Sequence, residues 1–293
     1  MRTAIITTPR FQVVHANALH GSLAWGFPAP PAWTGLMTAL NLKFKAADKP
    51  WSLEAVTVLP YAFHDITYRT GGDLHFSPPR APLGRKGDVQ GIQDIQGGYA
   101  NLEVAFAFKV TFPDSWEEVS QAVISSLLTM RFAGGSLFPT RRGRSSVTHL
   151  SENPEDDESS QPFRPWALSS VLTLRPDLLE QHQKDLSEQG NPVSKLEAWL
   201  DVFAVRAGTG QRPVAGWLVP VTTGYQSVSP LYAPNELKGV RDSQTPFRFA
   251  ESIWTVGEWV SPFQLGLDAQ VFFRPDYNPQ TGTYRCVPES CHV

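Results

Sequence analysis

The order of strand-like and helix-like segments in the first 175 residues constrains the fold of this chain more than any other feature of the sequence. β-branched residues and period-two alternation indicate strands, whereas apolar spacings of three and four residues indicate helices. The predicted elements are strands at 2–19, 53–69, 100–112 and 165–176 and helices at 32–45 and 114–132. This order is that of an α+β fold with a ferredoxin-like or RNA-recognition-motif core.

Proline and glycine shape the rest of the prediction, because the chain contains 25 prolines and 22 glycines. So many turn-forming residues argue against an all-helical bundle. Pro9 interrupts the first predicted strand, and Pro60 predicts a stop or a bulge in the second. From Gly216 onward short apolar runs alternate with proline and glycine, so an irregular, Pro/Gly-rich C-terminal part is predicted.

Two parts of the chain are distinguished on this basis. Residues 1–175 are predicted to form the core, with a long insertion at 70–99 and an acidic loop at 151–161. Residues 176–293 are predicted to hold a helical segment and then the irregular β-rich part, packed on the core. The helical segment is predicted as two helices, at 177–190 and 192–205.

The charge balance limits how this protein can meet nucleic acid. With 25 basic and 28 acidic residues the net charge is −3, whereas a free nucleic-acid-binding module is usually basic. Any such binding therefore requires a local basic patch, with other faces covered by protein partners. The N-terminal residues do not resemble a signal peptide, and no run of about 18 apolar residues occurs, so a cytoplasmic protein without a membrane partner is expected.

The stretch MRFAGGSLFPTRRGR, residues 130–144, combines adjacent glycines with several arginines. Residues 134–136 could let the backbone approach a phosphate, or the glycines could cap the preceding helix. The arginines that follow would be relieved of mutual repulsion by a polyanion, or by the acidic loop beginning at Glu152. A triphosphate-binding loop of the GxxxxGK[ST] type is absent, and no metal or cofactor is predicted.

The insertion at 70–99 interleaves basic side chains with aromatic, proline and glycine residues. Aromatic and guanidinium planes stack on bases while charge follows the phosphates, so this composition suits single-stranded RNA, although an ordinary surface loop would share it. The predicted RNA contacts are Asn17, Arg69, Phe76, Arg80, Arg85, Lys86, Arg131, Gly134, Gly135, Ser136, Arg141, Arg142 and Arg144.

Histidines and aromatic residues each allow two interpretations. His15, His20 and His64 lie on or beside predicted strands, where they could act as general acids or bases on an RNA hydroxyl, or be purely structural. No HExxH or GxSxG motif accompanies them. The aromatic residues predicted to meet a protein partner, unless they belong to the core, are Trp25, Phe27 and Trp259.

Five blocks carry a family resemblance, and they occur in the order NALHGSLAWGFPAPPAWTGLMTAL, RAPLGRKG, MRFAGGSLFP, GWLVPVTTGYQSVSPLYAP and TPFRFAESIWTVGEWVSP. Together they resemble the family of second Csy subunits of the type I-F CRISPR surveillance complex. That family is Cas-five-type and belongs to the repeat-associated mysterious protein (RAMP) superfamily. Residues 140–161 match no pattern of the family, so their arginines and acidic residues inherit no role.

The resemblance implies a non-catalytic subunit of an antiviral complex. Such a subunit has an RNA-recognition-motif core, holds the 5′ handle of the CRISPR RNA, pairs with the large Csy subunit and contacts the backbone Csy subunits. It meets target DNA through the assembled complex. RFAGGS (131–136) corresponds to the glycine-rich loop, and RAPLGRKG (80–87) lies in a thumb-like insertion. The alternatives are a metal-independent RAMP endoribonuclease that processes repeat RNA, and a protein-only tether.

Overall fold

The fold is taken from a computed structural model of the chain. The residues that it describes are 2–20, 23–76, 97–113, 115–140, 148–150, 166–188, 192–204, 217–240, 242–266 and 268–290. Within them, no helix combines the length and the apolar character needed to cross a lipid bilayer.

Helices and strands alternate along most of the described chain. The helices are α1 (Pro30–Ala46), α2 (Trp116–Leu127), α3 (Pro176–Glu188) and α4 (Lys195–Phe203). The strands before α2 are β1 (Arg2–Thr7), β2 (Phe11–Asn17), β3 (Leu19–His20), β4 (Ala24–Trp25), β5 (Ser52–Asp65), β6 (Thr67–Thr70), β7 (Asp73–Phe76) and β8 (Tyr99–Phe112). The strands after α2 are β9 (Arg131–Phe132), β10 (Gly135–Pro139), β11 (Thr148–Leu150), β12 (Val171–Leu174), β13 (Leu218–Ser227), β14 (Ala250–Val260), β15 (Phe272–Asn278) and β16 (Thr283–Glu289).

One antiparallel sheet of 12 strands organises the structure, so the α+β class is confirmed. Its order is β12-β14-β13-β16-β15-β5-β8-β2-β10-β9, with β1 beside β8 and β11 beside β1. Pro9 breaks the first predicted strand as expected, and both pieces pair with the same edge of β8. The bulge predicted at Pro60 is also present, as a register shift between Pro60 and Ala62 in the pairing of β5 with β8.

The strand beside β2 is β10, and this corrects the sequence prediction. The predicted strand at 165–176 instead contributes β12, at the far edge of the sheet. The predicted helix at 114–132 ends at Leu127, and β9 begins only four residues later. Residues 131–139 form a short hairpin instead. The helix-like spacing of the preceding residues extends the predicted helix into its first strand.

Helices α1 and α2 share one core against the sheet. Their apolar residues pack with those side chains of β8 that alternate onto their face, such as Phe106 and Phe108. Trp33 lies at the centre of this core, fully buried, and its indole N–H donates to the carbonyl of Pro28 at 2.6 Å. On the other face of the sheet, Trp166 and Phe272 form a second core over small residues of β8.

The C-terminal part is more regular than predicted. Strands β13–β16 extend the sheet beyond β5, and β13 pairs with β14 almost along its whole length. Proline has no N–H to donate to a neighbouring strand, so it is tolerated where a strand edge is unpaired. This holds for Pro220, because β16 pairs with β13 only at Gly224 and Tyr225. The two predicted helices are confirmed as α3 and α4. They share a core with β13 and β14, to which α3 contributes Leu179 and α4 contributes Trp199.

The predicted insertion at 70–99 begins with regular structure. Residues 67–76 form the hairpin of β6 and β7, in which Tyr68 pairs with His75 and Arg69 with Leu74. The irregular conformation predicted from residue 70 is therefore wrong for this first part. Residues 77–96 lie outside the described chain.

Candidate nucleic-acid interface

The glycine pair of the sequence analysis sits on the tight turn between β9 and β10. Gly135 pairs with Phe132, and the two turn residues Ala133 and Gly134 have φ angles of 48° and 78°. Positive φ at both central residues is the geometry of a type I′ hairpin turn. The alternative interpretation as a helix cap is wrong, because α2 ends at Leu127.

The two glycines serve different purposes in this turn. A Cβ on Gly135 would lie 2.8 Å from the backbone N of Ala16 and 2.8 Å from the carbonyl oxygen of Val14. Those residues form a bulge of β2, which occupies the space that a side chain at 135 would need. Gly134 is exposed, and a Cβ there would meet no atom within 4 Å. Of these two glycines, Gly134 is therefore the one that presents open backbone to a ligand.

Asn17 lies against this turn. Its backbone N–H donates to the carbonyl of Ala133 at 2.8 Å, and its side-chain oxygen accepts from the N–H of Leu19 at 3.1 Å. This second bond is an Asx turn, which fixes the amide at the end of β2. The predicted contacts Asn17 and Gly134 are thus brought together from positions more than 100 residues apart.

A cleft of about 500 Å³ opens beside Asn17 and Gly134. Its other walls are the residues that lead into α1, together with β13 and β14. The described residues that line it are Asn17, Leu19, His20, Pro28, Ala29, Pro31, Ala32, Ala133, Gly134, Thr222, Gly224, Tyr225 and Ser252. No sequence pattern predicts a role for Thr222, Tyr225 or Ser252, although all three lie within blocks that carry the family resemblance.

His20 forms the floor of the cleft and is only 8% exposed. Burial lowers the pKa of its imidazole, and the nearby backbone of Phe27, Pro220 and Gly26 opposes this shift without cancelling it. Neither ring nitrogen has a partner with hydrogen-bond geometry among the described residues. The neutral ring is therefore the form that the fold favours.

This burial predicts a pH dependence of stability. Because the pKa of His20 is lower in the folded than in the unfolded chain, the unfolded state binds more protons once the pH falls below the ordinary value of 6.5. We expect the free energy of unfolding in urea to decrease as the pH is lowered from 7.5 through this region, and the decrease to be smaller in His20→Gln. His64→Gln removes an exposed histidine and is the control. An unchanged slope in His20→Gln would contradict the assignment.

A second group of predicted contacts lies beyond Leu19. Trp25 pairs with Leu19 across β3 and β4, and its ring contacts Phe63 and Phe76 at centroid distances of 5.4 and 5.3 Å. Arg69 is exposed on the strand that pairs with the strand of Phe76, and alternation places both on the same face of the hairpin. Trp25, Phe76 and Arg69 are thus neighbours at the same end of the sheet as Asn17.

Of the remaining predicted RNA contacts, Arg131 and Ser136 flank the turn, and the others lie outside the described chain. Arg131 is exposed and pairs with Ser136 across β9 and β10, directly below Gly134. The basic residues that lie outside the described chain are Arg80, Arg85, Lys86, Arg141, Arg142 and Arg144.

The three aromatic residues predicted to meet a partner have different surroundings. Phe27 and Trp259 pack edge to face at 5.4 Å, and both rest on the core of α1. Trp25 is 36% exposed, with its ring on Phe63 and Phe76. Trp25 thus offers more free surface than the other two.

The fold places two of the three histidines suggested as acids or bases beside one residue and buries the third. His15 and His64 are exposed and flank Asn101, whose side-chain oxygen accepts from the backbone N–H of His15 at 3.1 Å and whose strand partner is His64. His20 is buried away from them in the cleft. No group of three or more His, Cys, Asp or Glu side chains suited to a metal ion occurs in the described part of the chain.

Comparison with known proteins identifies the family of this chain. A family model described as "CRISPR-associated protein (Cas_Csy2)" matches residues 6–286. The chain is also 29% identical, over 311 aligned residues, to "CRISPR-associated protein Csy2" of Pseudomonas aeruginosa (strain UCBPP-PA14), covering 96% of this chain and 94% of that protein. The chain belongs to the Csy2 family of CRISPR-associated proteins.

Proposed function

We propose that this protein is a non-catalytic subunit of a type I-F CRISPR surveillance complex. In this proposal it binds the 5′ handle of the CRISPR RNA and pairs with the large Csy subunit. It also contacts the backbone Csy subunits and meets target DNA through the assembled complex. Membership of the Csy2 family supports this assignment. The observation that carries RNA binding is the exposed turn at Gly134, which lies against Asn17 at the mouth of an open cleft.

The finer fold assignment is part of the same proposal. Strands β10-β2-β8-β5 are adjacent in that order, α1 lies between β2 and β5 in the chain, and α2 lies between β8 and β10. This is the strand order of a ferredoxin-like core, and it supports a Cas-five-type RAMP protein. We place this core in residues 1–175, with a thumb-like insertion that continues from the β6–β7 hairpin, and the C-terminal part in 176–293.

Two exposed arginines near Asn17 and the turn at Gly134 allow the proposed RNA binding to be tested. Arg69 and Arg131 are exposed, and neither forms an ion pair with another described residue. We expect Arg69→Ala with Arg131→Ala to weaken binding of the handle RNA by the assembled complex about 10-fold, and to reduce its salt dependence, because phosphate contacts release counterions. The measurement is fluorescence anisotropy at several salt concentrations.

Arg274→Ala is the matched control. Arg274 is a half-exposed arginine on β15, away from the turn, and it forms an ion pair with Glu289 on β16. It should leave affinity and salt dependence unchanged. Full affinity of the double variant would contradict the proposed interface.

A separate assay tests the endoribonuclease alternative, in which His15, His20 or His64 would act as acid or base. Of these three, His15 and His64 are exposed. Cleavage of a repeat hairpin by the purified protein without metal, abolished by His15→Ala or His64→Ala, would overturn the non-catalytic assignment. Intact RNA after incubation is the expected result.

A further inference from the structure

The interior of the cleft differs in chemistry from the basic surface proposed to follow the RNA backbone. None of its described lining residues is acidic, Lys or Arg, and burial favours the neutral form of His20. The cleft also opens on the N-terminus of α1, where a phosphate is often bound in other proteins. Here, however, Pro30 and Pro31 have no N–H, and the N–H of Ala32 donates to the carbonyl of Ala29 at 2.9 Å. A phosphate in this cleft would find neither a cation nor a free amide from the helix.

An aromatic platform stands on one wall of the cleft. Tyr225 is 43% exposed, and its ring is stacked on Tyr284 at a centroid distance of 5.3 Å and an angle of 12°. Tyr284 is held in turn by Thr34, at 2.7 Å between the two hydroxyl oxygens. One side of the Tyr225 ring is therefore fixed by the fold, and the rest of it is available to a flat ligand.

Neutral polar groups surround this platform. The hydroxyls of Thr222 and Ser252 form no hydrogen bond with another described residue, and both residues line the cleft. The amide of Asn17 stands at the opposite rim. Beneath them His20 is more than nine-tenths buried, with both ring nitrogens unpartnered in the described part of the chain. An aromatic face combined with neutral donors and acceptors suits the flat faces and polar edges of nucleobases.

We propose that this cleft binds one unstacked nucleobase of the RNA, with a face of the base on Tyr225 and its edge toward Thr222, Ser252 and Asn17. The inference rests on the proposed function, since it names the chemical group that the interface selects. It assigns to the strands β13 and β14 a role in reading a base, while Gly134 and the arginines contact the backbone.

Abasic scanning of the bound RNA tests this inference. The RNA recovered from the assembled complex is sequenced and resynthesised with a single abasic nucleotide at each position in turn. We expect one position at which the abasic nucleotide weakens binding by wild type about 10-fold, as for loss of a stacked base. Tyr225→Ala should weaken binding of intact RNA by a similar factor and should make the same abasic position neutral. Tyr225→Phe retains the ring and should behave as wild type.

Tyr277→Ala controls for loss of an exposed tyrosine, because Tyr277 is 53% exposed on β15 and does not line the cleft. If Tyr225→Ala does not assemble, Ser252→Leu fills the cleft from β14 and should remove the same positional effect. RNA that binds with no position coupled to Tyr225 or Ser252 would overturn the inference and leave the proposed function intact. A complex that contains no RNA and binds none would overturn the proposed function itself.

Discussion

Gly224→Ala should lower the free energy of unfolding by about 3 kcal/mol or more, as expected for a side chain forced into occupied space. A Cβ at this position would lie 1.9 Å from the carbonyl oxygen of Tyr284 on the neighbouring strand, a distance that no side-chain rotation relieves. Backbone would have to move where β13 and β16 pair, at Gly224 and Tyr225. Urea unfolding followed by tryptophan fluorescence measures the change.

Gly35→Ala is the matched control, because it makes the same chemical change where there is room. Gly35 is exposed within α1, and a Cβ there would meet no atom within 4 Å. Alanine is a better helix former than glycine by up to about 1 kcal/mol, so this variant should be slightly more stable than wild type. Equal destabilisation by both substitutions would show that the contact with Tyr284 is not the cause.

Trp33→Ala should cost about 3–5 kcal/mol of unfolding free energy, the range for deleting a large aromatic side chain from a core. Trp33 is 0% exposed, and its ring packs edge to face with Phe27 and Phe273 at 6.4 and 5.3 Å. The substitution leaves a cavity and also removes the donor to the carbonyl of Pro28. The same urea titration detects this loss as a lower midpoint with an unchanged slope.

Trp217→Ala tests whether that loss comes from burial. Trp217 is 64% exposed, so its truncation should change the unfolding free energy by no more than about 0.5 kcal/mol. A loss at Trp217 comparable with that at Trp33 would contradict the core described between α1 and the sheet.

Helix α1 and the long strands were predictable because their information is local. Trp33, Leu36, Leu40 and Phe44 recur at spacings of three and four residues, and all of them are buried in one core. In the middle of β8, large and small apolar residues alternate, with Phe106 and Phe108 on the helical face and Ala105 and Ala107 on the other. A pattern that repeats within one helix or strand can be recognised in the sequence without knowledge of the elements that pack against it.

Strand β10 and the cleft were not predictable from such patterns. GSLFP, residues 135–139, contains glycine and proline and lacks β-branched residues, so its strand conformation comes from pairing with β2 rather than from propensity. The cleft assembles Asn17, Gly134, Tyr225 and Ser252, which no spacing rule connects. Clusters of arginine are visible in the sequence, whereas the described lining of the cleft carries no acidic residue, Lys or Arg.

The composition of the cleft has a consequence for the order in which the protein matures during synthesis. The turn at Gly134 and the amide of Asn17 are translated in the first half of the chain, but Tyr225 and Ser252 emerge only near its end. A nascent chain that stops before β13 therefore carries the rim of the site without its aromatic wall. In the proposed function, base recognition therefore becomes available only after the long-range strand pairing that brings β13 and β14 to the cleft.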